Sequence, residues 1–172
     1  MAETYTIVTT ACAFAANKFM LTLWNTDAAK IVKIRRAWIL NCQTAAIAGV
    51  VTTFEVRLVT AQTLAGVAVV PTSHDSTNVL LPDAQIIIET AGTFTLGALL
   101  RRVIWSNDEV AVSGATWDEW ETIIPMMCVW DAGYGDANVQ PITLRTNEGF
   151  SIYHAGASAV STVDVMFEVT VE

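Results

Sequence analysis

Carboxylates, imidazoles, thiols and indoles are the groups in this 172-residue chain that could do chemistry, and their spacing sets what that chemistry would be. Asp118, Glu119 and Glu121 form the densest acidic cluster. Two carboxylates ~5–10 Å apart would serve a glycoside hydrolase as acid and as base or nucleophile. No second supporting motif accompanies them, and a solvated acidic edge is the expected reading. Asp131-Ala-Gly-Tyr-Gly-Asp136 would bend two carboxylates toward a calcium ion. It lacks the alternating oxygen ligands of a calcium loop, and a glycine-rich turn explains it equally well. His74 sits in a polar stretch and His154 at the end of an extended one, and neither stands in a nucleophile-elbow, zinc-helix or Cys-His setting. Cys12, Cys42 and Cys128 are odd in number and widely spaced, which suits buried free thiols rather than a disulfide framework or a zinc site. Catalytic, cofactor and metal residues are therefore all read as none.

The six tryptophans, at positions 24, 38, 105, 117, 120 and 130, raise a different possibility, because indole platforms on a β-sandwich bind sugars. Tryptophan is also an enriched anchor of protein interfaces. Charged residues make up only 15% of the chain, against about 25% in an average soluble protein. Interface or core is accordingly the expected place for these rings, and Tyr5, Ile7, Trp24, Arg35, Arg101, Trp117, Trp120 and Trp130 are the expected subunit-interface residues.

The elements that must position these groups are strands. From Val163 to Val171 every odd position is apolar, while Thr162, Asp164, Glu168 and Thr170 are polar, which is a strand with one dry and one wet face. Similar alternation marks Tyr5–Thr10, Phe19–Trp24 with Phe19, Leu21 and Leu23 on one face, Ile31–Leu40, and Val50–Thr60, where Phe54, Val56 and Leu58 alternate with Thr53, Glu55 and Arg57. In Ile31–Leu40 the pattern stumbles, since Arg36 falls on the inward side, and a β-bulge at Arg35-Arg36 would restore the register. Ala61–Ala84 carries Gly66, Pro71, Pro82 and a polar run, and reads as a long surface excursion. Extended structure resumes at Ile86–Ile88, Thr93–Trp105 and Trp117–Trp130. Ile142–Arg145 and Phe150–His154 flank Thr146-Asn-Glu-Gly149 and read as a hairpin, with glycine supplying a positive backbone dihedral.

Eight to ten strands without a competing helical period predict an all-β fold, an antiparallel β-sandwich of the single jelly-roll type. Residues 1–17 form an N-terminal strand or arm and residues 18–172 one sandwich domain. The pairs Arg35-Arg36 and Arg101-Arg102 each precede a tryptophan, and they are read as neighbouring strands whose arginines meet acids such as Asp118, Glu119 and Glu121, on ordinary solvated faces.

The net charge of −8 disfavours a role that grips phosphate backbones, so nucleic acid is not an expected direct partner. The hydrophobic fraction is 53% and the mean hydropathy +0.45. Apolar runs such as Ala45–Val51 are far short of the ~18 residues of a membrane span. A surface this poor in charge is expected to be hidden in a homo-oligomer. The first residues lack the basic segment of a secretory signal, which predicts assembly in a cytoplasm.

The succession of Tyr5-Thr-Ile-Val-Thr-Thr10, Ile34-Arg-Arg-Ala-Trp-Ile-Leu-Asn41, Leu100-Arg-Arg-Val-Ile-Trp-Ser-Asn107, Pro141-Ile-Thr-Leu-Arg145 with Asn147-Glu-Gly-Phe150, and Val163-Asp-Val-Met-Phe-Glu-Val-Thr170 resembles small jelly-roll virion structural proteins, capsid or decoration proteins, of bacterial viruses. The resemblance spans most of the chain and rests on strand patterns. It implies a non-enzymatic subunit located in the virion, assembled in the host cytoplasm, self-associating symmetrically and contacting other shell proteins. A carbohydrate-binding or host-adhesion sandwich is the alternative. In the assembly reading, residues 1–16 reach onto a neighbour as an arm, and the 61–84 and 117–130 segments make subunit contacts.

Overall fold

The computed structural model describes residues 2–42, 50–77, 86–107, 126–133 and 139–172. They form twelve strands: β1 (Glu3–Ala13), β2 (Lys18–Asn25), β3 (Val32–Asn41), β4 (Val50–Leu64), β5 (Val67–Ala68), β6 (Thr72–Ser73), β7 (Ile86–Thr90), β8 (Thr93–Asn107), β9 (Met126–Asp131), β10 (Ile142–Leu144), β11 (Glu148–His154) and β12 (Thr162–Val171). One sheet has the order β10-β3-β12-β1-β6, with β9 also paired to β3, and the other β5-β7-β2-β11-β4-β8. Every ladder is antiparallel. The expected all-β sandwich of two packed antiparallel sheets is what the chain forms.

The dry faces predicted by alternation make the core between the sheets. Val163, Val165, Phe167, Val169 and Val171 of β12 are all buried and meet Tyr5, Ile7, Ile34 and Ile39 from the same sheet. From the opposite sheet come Phe54, Val56, Phe150 and Ile152, and Phe150 packs edge to face on Phe167 at 5.1 Å. A strand buried on one face at this density brings ~1.5–3 kcal/mol for each large apolar side chain removed from water. The alternation therefore selects the register as well as the strand.

Register irregularities decide where several side chains go. In the β3–β12 ladder Arg36 faces Glu168 while Ile34 faces Val169, which leaves Arg35 as an extra residue, the expected bulge at Arg35-Arg36. Its consequence is that Ala37 and Ile39 turn inward and Trp38 outward. In β2 a shift between Ile152 and Tyr153 makes Met20 the extra residue. Phe19 is thereby moved off the face of Leu21 and Leu23, where alternation had placed it. It joins Trp24, Val59, Phe94 and Tyr153 in a second cluster on the other side of that sheet.

The N-terminal segment is a strand of the sandwich. β1 lies between β12 and β6 and is paired to β12 from Glu3↔Val171 to Ala13↔Thr162. Tyr5 and Ile7, expected at a subunit interface, are wholly buried in the chain's own core because they share the inward face of β1 with Cys12. The turn into β2 is anchored by His154, which is fully buried. Its Nδ1 donates to the Ala15 carbonyl at 2.7 Å, so Nε2 is left to accept from the Thr52 hydroxyl at 2.6 Å. Burial pushes its pKa down, as does the charge of Lys18, and outweighs the Ala15 bond, which pulls it up. The neutral ring stacks on Phe14 at 4.8 Å.

The expected hairpin over 142–154 is not formed. β10 pairs with β3 in one sheet and β11 with β2 and β4 in the other, so residues 145–147 carry the chain across the sandwich. Asn147, with φ 62°, takes the left-handed position assigned to glycine. Gly149 is needed for space: a Cβ there would lie 2.3 Å from Val59 Cγ2 and 2.8 Å from the Leu23 carbonyl oxygen. The expected excursion at 61–84 is shorter than read, since β4 continues to Leu64 and β5 and β6 interrupt the rest. Residues 78–85 and 108–125, with Trp117, Asp118, Glu119, Trp120 and Glu121, lie outside the described residues, as does Asp136.

Candidate functional site

Of the expected interface residues, the structure brings Arg101 and Trp130 together. Arg101 lies on β8, the last strand of its sheet among the described residues, and Trp130 on β9, at the facing edge of the other. Arg101 Nη1 donates to the Val129 carbonyl at 3.0 Å, and its guanidinium sits 5.9 Å from the centre of the Trp130 indole. That pairing fastens the two sheet edges by one charge-assisted bond and one cation–π contact. Beside it a 520 Å³ cleft opens between the sheets, with Leu58, Leu100, Trp130, Pro141, Ile142 and Leu144 among its lining. The indole Nε1 of Trp130 is buried and has no hydrogen-bond partner among the described residues.

Along the same edge β8 exposes apolar side chains, Leu100 toward the cleft between the sheets and Ile104 on the outer face. Leu96, Leu99 and Leu100 are 41%, 45% and 38% exposed and Ile104 66%, with Met126 of β9 also exposed. The reason is local. Successive side chains of a strand point to opposite faces, so Leu99 and Leu100 cannot both be turned to the core, and the register shift at Val56/Arg57 leaves Leu100 as an extra residue. Further on, Val103 packs on the core and Trp105 is fully buried, which puts Ile104 outward, opposite Thr53. A fifteen-residue terminal strand is about 50 Å of backbone edge at ~3.3 Å per residue. Such an edge, apolar and long, is a template for pairing with another chain.

Charge on this edge is organised by a buried carboxylate. Glu55 of β4, 2% exposed, accepts from Arg57 Nε and, through its other oxygen, from Arg102 Nε and Nη2. Burial works to raise its pKa, but the hydrogen bonds and charges of Arg57 and Arg102 outweigh it and hold the carboxyl below the usual range. The two arginine pairs are therefore not neighbours. Arg101-Arg102 serve this edge, whereas Arg35-Arg36 lie in the other sheet, where Arg35 Nε donates to Thr170 Oγ1 at 3.0 Å and Arg36 pairs with Asp131 at 3.5 Å. Arg35, Asp131, Glu168 and Thr170 line a 210 Å³ hollow there.

The remaining candidates have structural explanations. Trp24, expected at a subunit interface, lies on the outer side of its sheet but is 5% exposed, covered by the Phe19, Val59, Phe94 and Tyr153 cluster of its own chain. Asp131 Oδ1 accepts from the Gly133 amide at 2.8 Å, which is a turn, and no group of three metal-ligating side chains occurs among the described residues. His74 Nε2 is bonded to Thr6 Oγ1 at 2.7 Å. Of the thiols expected to be buried, Cys12 is, Cys42 is half-buried and Cys128 is exposed, because β9 lies at the sheet edge with only Val129 wholly inside. No described helix is long and apolar enough to cross a membrane.

Leu96, Leu99, Leu100 and Ile104 were not singled out by residue chemistry. Their signal was present in the doublet Leu99-Leu100 and the run Val103-Ile104-Trp105, where a two-residue period cannot hide consecutive apolar side chains on one face. No protein-family model matches the chain, and no curated protein matches it either.

Proposed function

We propose that the chain is a non-enzymatic structural subunit of a virion, a capsid or capsid-decoration protein of single jelly-roll type, and that it self-associates through the β8 edge. The observation that carries the assembly part is that edge: a terminal strand of fifteen residues with Leu96, Leu99, Leu100 and Ile104 in water. Exposed apolar surface of this extent marks an interaction site. The jelly-roll assignment is supported by the neighbour orders β1-β12-β3-β9 and β2-β11-β4-β8, in which the chain crosses between the sheets at every step but β4 to β8. The virion assignment rests on the resemblance of the strand patterns and on the low charge content.

The carbohydrate-binding alternative needs at least two exposed indoles on one face. Among the described residues Trp24 and Trp105 are buried and Trp38 and Trp130 half-buried, so the assembly reading is preferred.

Replacing Leu99 and Ile104 together by aspartate tests the assembly edge. Both sites face water in the single chain, so the circular dichroism spectrum and the unfolding midpoint are expected to stay close to the parent. Losing two apolar contacts and burying two charges in the subunit contact is expected to weaken association by on the order of a hundredfold or more. A double variant whose mass in solution equals that of the parent at every concentration would refute the β8 contact.

A further inference from the structure

We propose that the β8 edge of one copy docks against the opposite edge of a second copy, the one bounded by β5 and β6, so that subunits join head to tail rather than as a two-fold pair. This rests on the assembly reading above and specifies the partner surface. Among the described residues β5 and β6 end the two sheets on the side remote from β8 and β9. That side also exposes apolar side chains: Val67 and Val70 are 66% and 68% exposed, and with the 39%-exposed Val8 they line a 540 Å³ cleft shared with Thr9, Thr10 and Thr90. The β8 edge thus presents exposed leucines and an isoleucine, and the β5–β6 edge a hollow lined in part by valines.

Charge argues for the same pairing and against the symmetric one. The fifteen residues of β8 include Arg101 and Arg102 and no carboxylate. Glu55 offsets one of the three arginines Arg57, Arg101 and Arg102, so two copies of β8 laid antiparallel would still bring a net positive charge from each to one seam, and like charges facing each other across strands are destabilising. The β5–β6 side instead carries Asp75 and, at the start of β1, Glu3. The Thr77 amide and hydroxyl bond the Asp75 carboxylate and keep it ionised. Lys18 also lines the cleft, its Nζ donating to the neutral Ala13 carbonyl at 2.6 Å, so this side sets two carboxylates against one lysine. A contact between two different patches of the same molecule is heterologous, and it closes into a ring or continues as a filament.

Single-cysteine proteins test this directly. In a background with Cys42 and Cys128 replaced by serine and Cys12 by alanine, one set carries Leu96→Cys, Leu99→Cys or Ile104→Cys and the other Val67→Cys or Val70→Cys, and mass is measured on the same samples. Disulfides form where Cα atoms come within about 7 Å. Intersubunit disulfides are expected when a member of the first set is mixed with one of the second, and not in either alone. Assembled samples that cross-link only within the first set, or in no combination, would overturn the head-to-tail contact and leave self-association standing. A monomer at all concentrations would overturn both.

Discussion

Deleting residues 1–13 is expected to abolish cooperative folding, not to yield a folded sandwich lacking an arm. β1 supplies Tyr5 and Ile7 to the core at 0% exposure and satisfies the backbone of β12 along most of its length. Truncating one such side chain, as in Ile7→Ala, is expected to cost ~2–5 kcal/mol. A domain of this kind holds only ~5–15 kcal/mol in all. Removing the strand takes away both large side chains, leaves the β12 ladder unpaired on one side and uncovers Val165 and Phe167. The check is urea unfolding followed by tryptophan fluorescence. The truncated chain is expected to show no sigmoidal transition, and a transition with an undiminished slope would show that the sandwich stands without β1.

Glu55→Ala is expected to be the most damaging single change away from the apolar core. The Glu55 side chain is 3% exposed and holds Arg57 and Arg102 together. Breaking a buried ion pair commonly costs ~3–5 kcal/mol because a charge is stranded. Here the Arg102 side chain is 60% exposed and regains water, so the expected loss lies nearer the low end, about 2–3 kcal/mol. The pH dependence follows from the direction of the shift. A carboxyl whose folded pKa lies below its unfolded one stabilises the fold above the unfolded value, about 4.3, and that stabilisation disappears as pH falls through the lower folded value. Glu55→Gln should therefore flatten the acid limb of the stability profile between those two values, while leaving its shape near neutrality. An unchanged acid limb in Glu55→Gln would show that other carboxyls set it.

Alternation made the strands legible because each inward position is a separate energetic vote for one register. β12 is the clearest case, with five odd-numbered apolar residues all buried, and the stumble at Arg35-Arg36 located a real bulge. Less was legible where a strand's partner decides the outcome. The segments 142–145 and 150–154 looked like a hairpin because the turn chemistry between them is good, yet nothing local says which sheet each joins. The bulge at Met20 left no mark in an all-apolar stretch, so Phe19 was placed on the wrong face. Tyr5 and Ile7 already alternated with Thr4, Thr6 and Val8, and weighing them as an arm set aside a pattern that marks a half-buried strand.

The candidate site divides in the same way. Arg101 and Trp130 could be picked out by type, but their contact across the two sheet edges exists only through pairing with β4 and β3 respectively. The β8 leucines belong to the site by default of the core: the strand has more apolar side chains than one inner face can hold.

Light scattering after size exclusion, on the untagged chain over a wide concentration range, tests self-association most directly. A discrete symmetric oligomer or growth into larger particles is expected, with mass falling toward the single chain only on strong dilution. A mass of 18.6 kDa at every concentration would contradict it, because Leu96, Leu99, Leu100 and Ile104 would then be facing water permanently.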